Sequence, residues 1–395
     1  MKYYKSYKYL IKPSISQITQ IIKNFECCTI VYNMYISENG YEKYKDIKAK
    51  EILLNYKEIN PYLKEADSSA LINLLFKLQD KRNVFKTFKY KKEMMNSYTT
   101  SNLSGKYGIY FVNNDYINVP KLGSVKTVIH RKIPENSRII SATVTTDIMN
   151  NYYICITFEY EFSKKYFEID MNKSIGLDYS SPYMFVDSNG EINDVKHFYQ
   201  IQENRIIKLN KVLSKCQKNS NNYYKIKNKI NKIYKKITNQ RNDYLHKLTR
   251  KMVNKYDLIA VEDLDLNVIA KRYNLAKNTY DNCYGKFLNI LEYKMNEEGK
   301  VLIKVDRYFP SSKICNNCGY INNNLSLKDK EWMCPNCNVV LNRDVNAAIN
   351  IRKEGIKKFK SIGYLDQAYK TSSIPVRIPE FMPAKNIKEV CINNL

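Results

Sequence analysis

The sequence predicts an α/β multidomain protein with a four-cysteine zinc ribbon inserted in its C-terminal half. Three observations carry that expectation. Short β-type runs, evenly spaced between Asn/Asp turns, fill residues 107–162 and suggest a β-barrel or sandwich. From Ser174 onward, apolar strands that end in acids alternate with helical segments, which is the layout of an α/β sheet. Two CxxC pairs then stand between residues 308 and 351, just ahead of a further acid. At 395 residues the chain is long enough for roughly two to three domains.

Residues 3–12 read as a strand stopped by Pro13. Ser14 or Ser16 then caps a helix with Ile18, Ile21, Ile22, Phe25 and Tyr32 on one face. A second helix is expected over 41–57. A third follows Asp67, Ser68 and Ser69, with Leu71, Leu74, Leu75 and Leu78 as its stripe. Residues 14–96 thus form a small helical module. It is an insertion, because the first strand, within residues 1–13, pairs with the β-rich part at 97–170. The strands expected there are 107–112, 116–119, 125–129, 139–146 and 152–162. Asn113-Asn114-Asp115 and Asn150-Asn151 are their turns.

The next region, 171–306, opens with SIGLDYSS, an apolar strand ending at Asp178, and residues 183–186 are placed to pair with it. A long basic helical stretch follows. Residues 205–251 hold fifteen Lys/Arg and one acid, Asp243. Ile226, Ile230, Ile233 and Ile237 recur at helical spacing, and Asn219-Ser220-Asn221-Asn222 breaks the stretch into a hairpin. A solvated helix usually mixes charge signs. The near-absence of acids therefore points to phosphate contact, with Lys225, Lys229, Lys232, Lys236 and Arg241 as candidates. DLIAVEDL, residues 257–264, is a short buried strand ending at Glu262-Asp263. A helix with Phe287, Ile290, Leu291 and Met295 and a strand at 301–305 complete the region.

The ribbon occupies residues 307–338. Cys315 pairs with Cys318 and Cys334 with Cys337, and fifteen residues separate Cys318 from Cys334. That spacing suits four thiolates around one zinc ion; two disulfides or unrelated thiols are the alternative. Four cysteines close the coordination shell, so the zinc would be structural. Its binding free energy, on the order of 10 kcal/mol, would fold a loop with only Trp332 and a few aliphatics for a core. Gly319 can adopt the left-handed backbone of a knuckle, and Pro335 stiffens the second pair. The other six cysteines, Cys27, Cys28, Cys155, Cys216, Cys283 and Cys391, show no ligand spacing and read as core thiols. Asp344 then lies in the first turn of a helix expected to end near Lys353, within 339–358. An acid there suits the helix dipole; a metal-binding carboxylate is the sharper reading. Residues 359–395, with Pro375, Pro379 and Pro383, read as an irregular tail.

Sixty-five Lys/Arg against 39 Asp/Glu give a net charge of +26, which implies a polyanionic partner, nucleic acid first. The 35 tyrosines would suit base stacking, but a general bias toward Lys, Asn, Ile and Tyr weakens that signal. The N-terminus has no apolar signal region, and no run of about eighteen apolar residues is present. A cytoplasmic protein with reduced or metal-bound thiols is expected, nucleoid-associated when on DNA. Only His130, His197 and His246 are present, which argues against zinc-hydrolase and serine-triad chemistry. The absence of a P-loop and of GxGxxG argues against an ATPase or a dinucleotide enzyme.

Three acids at one edge of a sheet would suit two magnesium or manganese ions, hard cations that prefer oxygen. Ions about 4 Å apart would clamp a scissile phosphate. Spacing alone does not choose Glu262 over Asp263 or Asp265, nor exclude Asp187 and Asp306.

These stretches together resemble the TnpB (OrfB) family of transposon-encoded RNA-guided nucleases, relatives of the type V CRISPR effectors. The resemblance is carried by SIGLDYSS around Asp178, NQRNDYLHKLTRKMVNKYDLIAVEDL around Glu262, FPSSKICNNCG, EWMCPNCN, and LNRDVNAAINI around Asp344. YKYLIKPSISQ and NVPKLGSVKTVIHRKIP match more loosely. The chain departs from the family after the first acid, where Tyr179-Ser180-Ser181 replaces a Gly-containing turn.

The resemblance implies a RuvC-like nuclease of RNase H fold, interrupted by the zinc ribbon. It implies Asp178, Glu262 and Asp344 as the catalytic, magnesium-binding triad. The β-rich part would be a wedge barrel and the helical module a recognition domain. Together they would hold a guide RNA and read a short motif flanking a double-stranded DNA target. The basic hairpin would lie near the heteroduplex. Three further readings fit parts of the sequence: a compact type V CRISPR effector, a nuclease-inactive RNA-guided repressor, and a non-enzymatic zinc-ribbon binder. The last leaves the three strand-end and helix-start acids unexplained.

Overall fold

The structure, a computed structural model, describes residues 2–365 apart from 81–92, 103–107, 132, 162–168, 182, 196, 267, 269–280, 282 and 327–328. These fall into two compact units, one up to residue 161 and one from residue 169.

In the first unit, β1 (Lys2–Lys12) ends at Pro13 and α1 (Ile15–Ser37) begins at once. Ser14, not Ser16, is the cap. Its hydroxyl accepts from the Gln17 amide at 3.3 Å, and Gln17 Oε1 accepts from the Ser14 amide at 2.9 Å. Over 41–57, where one helix is expected, two stand: α2 (Gly40–Lys43) and α3 (Ala49–Ile59). The chain leaves the helix so that Tyr44 can be buried, its ring 6.1 Å from both Tyr35 and Tyr56. Asp67 caps α4 (Ser68–Gln79) by accepting from the Ser69 amide at 2.9 Å.

These helices lie between β1 and β2 (Ser97–Ser101) in the chain. β3 (Tyr110–Phe111), β4 (Tyr116–Val119), β5 (Gly123–Val128), β6 (Ser137–Thr146) and β7 (Tyr152–Glu161) follow. The sheet order is β2-β6-β7-β1-β5-β4-β3, and all pairings are antiparallel. β1 is central, in register with β7 from Lys2↔Glu161 to Ile11↔Tyr152. One core joins helices and sheet: Ile21, Phe25, Tyr56 and Leu75 with Tyr9, Ile117 and Phe158.

The second unit is built on the sheet β10-β9-β8-β11-β12. β8 (Ser174–Tyr179), β11 (Leu258–Glu262) and β12 (Val301–Val305) are parallel neighbours. β9 (Phe185–Asp187) is antiparallel to β8 and to β10 (Ile192–Asn193). The basic stretch is a hairpin of α5 (Phe198–Ser214) and α6 (Asn221–Lys255), closed on Phe198, Ile206, Ile233 and Ile237. Ser220 starts α6 by accepting from the Tyr223 amide at 3.1 Å. After α7 (Tyr284–Glu297), the small hairpin β13 (Glu331–Met333) and β14 (Val340–Asn342) leads into α8 (Arg343–Leu365).

Alternation along the strands sorts the two sheet faces. Ile175, Leu177, Ile259 and Val261 pack with α6 and α7 residues such as Val253, Phe287 and Leu291. Leu258, Ala260, Ile303 and Ile351 form the core on the α8 side. Ile356 and Phe359 extend that apolar face, which carries α8 past the expected end near Lys353 and into the stretch expected to be irregular. The rest of the expected tail, 366–395, lies outside the described residues. Cys27 and Cys28 are buried as expected of core thiols, whereas Cys155, Cys216 and Cys283 are half-exposed. Cys391 also lies outside the described residues. Among the described residues no helix is long and apolar enough to cross a membrane.

Candidate active site

Asp178 is the penultimate residue of β8, and Glu262 is the last of β11. The strands are parallel with Leu177 beside Val261, so the two acids stand next to each other at the carboxyl ends. They share strand parity with Gly176 and Ala260 and thus lie on the α8 face. Asp344 enters from the second residue of α8. Asn342 Oδ1 starts that helix by accepting from the Asp344 and Val345 amides, both at 3.1 Å.

Burial pushes the Asp178 carboxyl well above the ordinary carboxylate range, and the negative charges of Glu262 and Asp344 push the same way. Arg343 and Lys330 act against that rise. Burial also raises Glu262, while a 2.6 Å hydrogen bond from the Ser311 hydroxyl lowers it. Asp344 pairs with Lys330 at 3.2 Å and Arg343 at 3.4 Å. A buried carboxyl disfavoured in its ionised form by burial and by two neighbouring acids is what a hard divalent cation would relieve.

The competing acids are engaged elsewhere. Buried Asp187 accepts from the Asn189 and Glu191 amides at 2.8 and 3.0 Å, as a turn residue does. Exposed Asp263 lies 3.7 Å from Arg307. Asp265 and Asp306 accept from the amides of Val268 and Tyr308. At the atypical turn, the Tyr179 ring packs 4.9 Å from Tyr284.

The four cysteines form a second centre. Among the described residues they are the one group of ligating side chains whose donor atoms all lie within 4.8 Å; the three acids are spread more widely. Sγ of Cys315 lies 3.7 Å from that of Cys337, and Sγ of Cys318 lies 3.6 Å from that of Cys334. Four sulfurs about 2.3 Å from one ion at tetrahedral corners would be about 3.8 Å apart, so the cluster fits such an ion. The two knuckles are built alike. Gly319 and Asn338, each one residue past its CxxC, are both left-handed. Their amides donate to the carbonyls of Cys315 and Cys334 at 2.9 and 2.8 Å. A hydrogen bond from Asn336 lowers the Cys318 thiol to about 6, helped by the Tyr320 amide. The Val339 amide is the main cause lowering Cys337. Trp332, Leu341 and Leu325 supply the small core.

On α6, Lys225, Lys229, Lys232 and Lys236 are exposed in one row. Arg241 is not in that row. It is largely buried and paired with buried Asp281, whose carboxylate also caps α5 through the Tyr199 and Gln200 amides.

Residues beyond the sequence expectations complete the site. Ser311 touches Glu262, and Asn346 and Asn350 of α8 hold the ribbon backbone. Gly176 admits α8 against β8. Two asparagines spaced i, i+4 on the apolar face of NAAIN were the available signal for the second contact.

Three family models match the chain. The OrfB_IS605 helix-turn-helix domain covers residues 1–46, OrfB_IS605, described as "Probable transposase", covers 158–272, and the Cas12f1-like TNB domain covers 284–351. The chain is similar to a Streptomyces pristinaespiralis protein named "Putative RNA-guided DNA endonuclease", with 27% identity over 364 residues and 89% of each chain covered. It is also similar to "TnpB-like protein MJ0751" of Methanocaldococcus jannaschii, 30% identical over 224 residues, which are 51% of this chain and 74% of that protein. The Cas12f1 chain of a solved Cas12f1–sgRNA–target DNA complex shares the fold, with a TM-score of 0.55 at 18% identity over 86% of this chain and 82% of that one.

Proposed function

The chain belongs to the TnpB (OrfB) family, and from that membership we propose that it is an RNA-guided DNA endonuclease cutting by two-metal-ion hydrolysis at Asp178, Glu262 and Asp344. One observation carries the reading. Asp178 and Glu262 end neighbouring parallel strands, Asp344 opens α8, and burial together with the charges of Glu262 and Asp344 raises the Asp178 carboxyl. The second unit is then a RuvC-like nuclease of RNase H fold. The order β10-β9-β8-β11-β12, with β9 alone running against the rest, supports this.

The three acids would hold magnesium or manganese. Such ions, when bound, supply Lewis acidity toward a scissile phosphate and acidify an attacking water. The chain's own residues prepare the site. Parallel pairing holds Asp178 and Glu262 side by side, and the capped start of α8 presents Asp344. Lys330 and Arg343 offset negative charge around Asp344. The four cysteines would hold a structural zinc.

The first unit would serve as the wedge barrel, with α1–α4 as the recognition module. It would bind a guide RNA and read a short motif beside the double-stranded target. Base pairing would then read sequence while the protein contacts backbone and shape. The exposed lysine row of α6 suits phosphate contact. The setting is cytoplasmic, on DNA.

The test is RNA sequencing of the purified protein together with cleavage by Asp178→Ala. A homogeneous RNA encoded beside the gene should copurify with both forms. Magnesium-dependent cutting should be lost in the variant. Cutting that survives, or the absence of a defined RNA, overturns the proposal.

A further inference from the structure

Resting on the reading of Asp178, Glu262 and Asp344 as a cation site, we propose that Ser311 is a positioning residue for Glu262, through which the ribbon sets the geometry of that site. The Ser311 hydroxyl donates to Glu262 Oε1 at 2.6 Å. Ser311 is 6% exposed, so water competes poorly for that bond. An ionised carboxylate only accepts, and one oxygen held by Ser311 leaves the other for a cation.

Ser311 is itself fixed from two sides. Its amide donates to the Phe309 carbonyl at 2.8 Å, and its carbonyl accepts from Asn350 Nδ2 at 2.8 Å. The same Asn350 nitrogen donates to the Ile314 carbonyl at 2.7 Å. One turn earlier on α8, Asn346 Nδ2 donates to the carbonyls of Ser312 and Ile314 at 3.3 and 2.7 Å. Asn346 Oδ1 accepts from the Asn316 amide at 2.9 Å. Both asparagines are buried. Residues 311–316, which run into the first cysteine knuckle, are thereby fastened to the helix that presents Asp344.

Glu262 ends its strand on a flexible side chain. Without an anchor, its carboxylate must be ordered each time a cation binds. Ser311 removes part of that cost, and it does so from the ribbon and not from the sheet. Hydrogen-bond partners of ligating groups typically change metal affinity by about 10–100-fold when removed.

The experiment uses the full-length protein. Mn²⁺ binding is titrated through the free-ion EPR signal, and Asp178→Ala supplies the background from all other sites. Ser311→Ala is expected to weaken the Asp178-dependent binding about 10-fold. The Mn²⁺ concentration for half-maximal DNA cutting should rise in step, with zinc content unchanged. Ser311→Thr, which keeps the hydroxyl, should recover most of the loss. Unchanged Mn²⁺ binding in Ser311→Ala, beside a clear loss in Glu262→Ala, overturns this inference and leaves the site reading standing. Unchanged binding in Glu262→Ala overturns the site reading itself. Loss of zinc from Ser311→Ala would show that the serine acts by folding the ribbon, and this too overturns the inference.

Discussion

Gly176 lies so close beneath Ala348 that a Cβ on residue 176 would stand 2.1 Å from the Ala348 carbonyl oxygen and 2.6 Å from the Arg352 amide nitrogen. Both obstacles are helix backbone, which yields only if α8 itself moves. Arg352 Nε also donates to Ser174 Oγ at 2.8 Å, tying the helix to the same strand. Gly176→Ala should therefore shift α8 and carry Asp344 away from Asp178. The expected stability loss is about 1–3 kcal/mol, the usual cost of overpacking. DNA cutting should fall much further than that loss implies. Gly355→Ala is the comparison, because its Cβ would meet the Ala260 side chain at 2.4 Å, eleven residues beyond Asp344. Denaturant melts and cleavage rates of the two variants check this; a greater loss of cutting in Gly355→Ala would refute it.

Removal of zinc should unfold the ribbon and little else. Its core is Trp332, Leu341 and Leu325 around the cysteines, too small to stand without the ion. Cys334→Ser should release the metal and expose residues 307–342 to proteolysis and hydrogen exchange. The sheet β8-β11-β12 should stay protected, because its two cores contain none of Cys315, Cys318, Cys334 and Cys337. Elemental analysis that finds zinc retained in the variant would contradict the assignment.

The acids and cysteines were legible because each leaves a local mark. Asp178 and Glu262 end apolar runs, and the thiols sit at fixed short spacing. What joins them was not legible. Ser311 and Glu262 are 49 residues apart, and Asn350 and Ile314 are 36 apart, so no periodicity links them. Gly176 did leave a trace, since glycine inside a strand often marks close backbone approach, but its neighbour on α8 carries no local label. Arg241 read as one more cation of a basic helix. It pairs with buried Asp281, 40 residues away, a partner that no local pattern announces. In the first unit, the burial of Tyr44 split a helix that periodicity alone joins.

The distinction between Arg241 and the lysine row can be measured. Replacing Lys225, Lys229, Lys232 and Lys236 with Gln should weaken nucleic-acid binding. It should flatten the log–log salt dependence by up to about 4, with stability nearly unchanged. Arg241→Gln should leave the salt dependence alone. It should destabilise by about 3 kcal/mol, because buried Asp281 loses its guanidinium partner. Filter binding across a salt series and thermal melts separate the two. A reversed pattern would place Arg241 on the nucleic acid.

Lys294 predicts how the second unit responds to alkali. It is buried on α7, and its Nζ donates to the His246 carbonyl at 2.7 Å and to Thr249 Oγ1 at 2.8 Å. Burial lowers its pKa to about 8, and the positive charge of Arg250 contributes. In the unfolded chain a lysine titrates near 10.4. Between about pH 8 and pH 10 the unfolded state therefore holds a proton that the folded state has released. Stability supplied by this residue rises across that window, and the cost of burying the charged amine is fully present below pH 8. Lys294→Met removes the titration along with its two hydrogen bonds. The difference in unfolding free energy, native minus variant, should grow by ~1–3 kcal/mol from pH 7.5 to pH 10. Taking the difference cancels the cysteines and tyrosines that also ionise in that range. A difference that stays flat with pH would show that Lys294 is not held in a site that resists its charge.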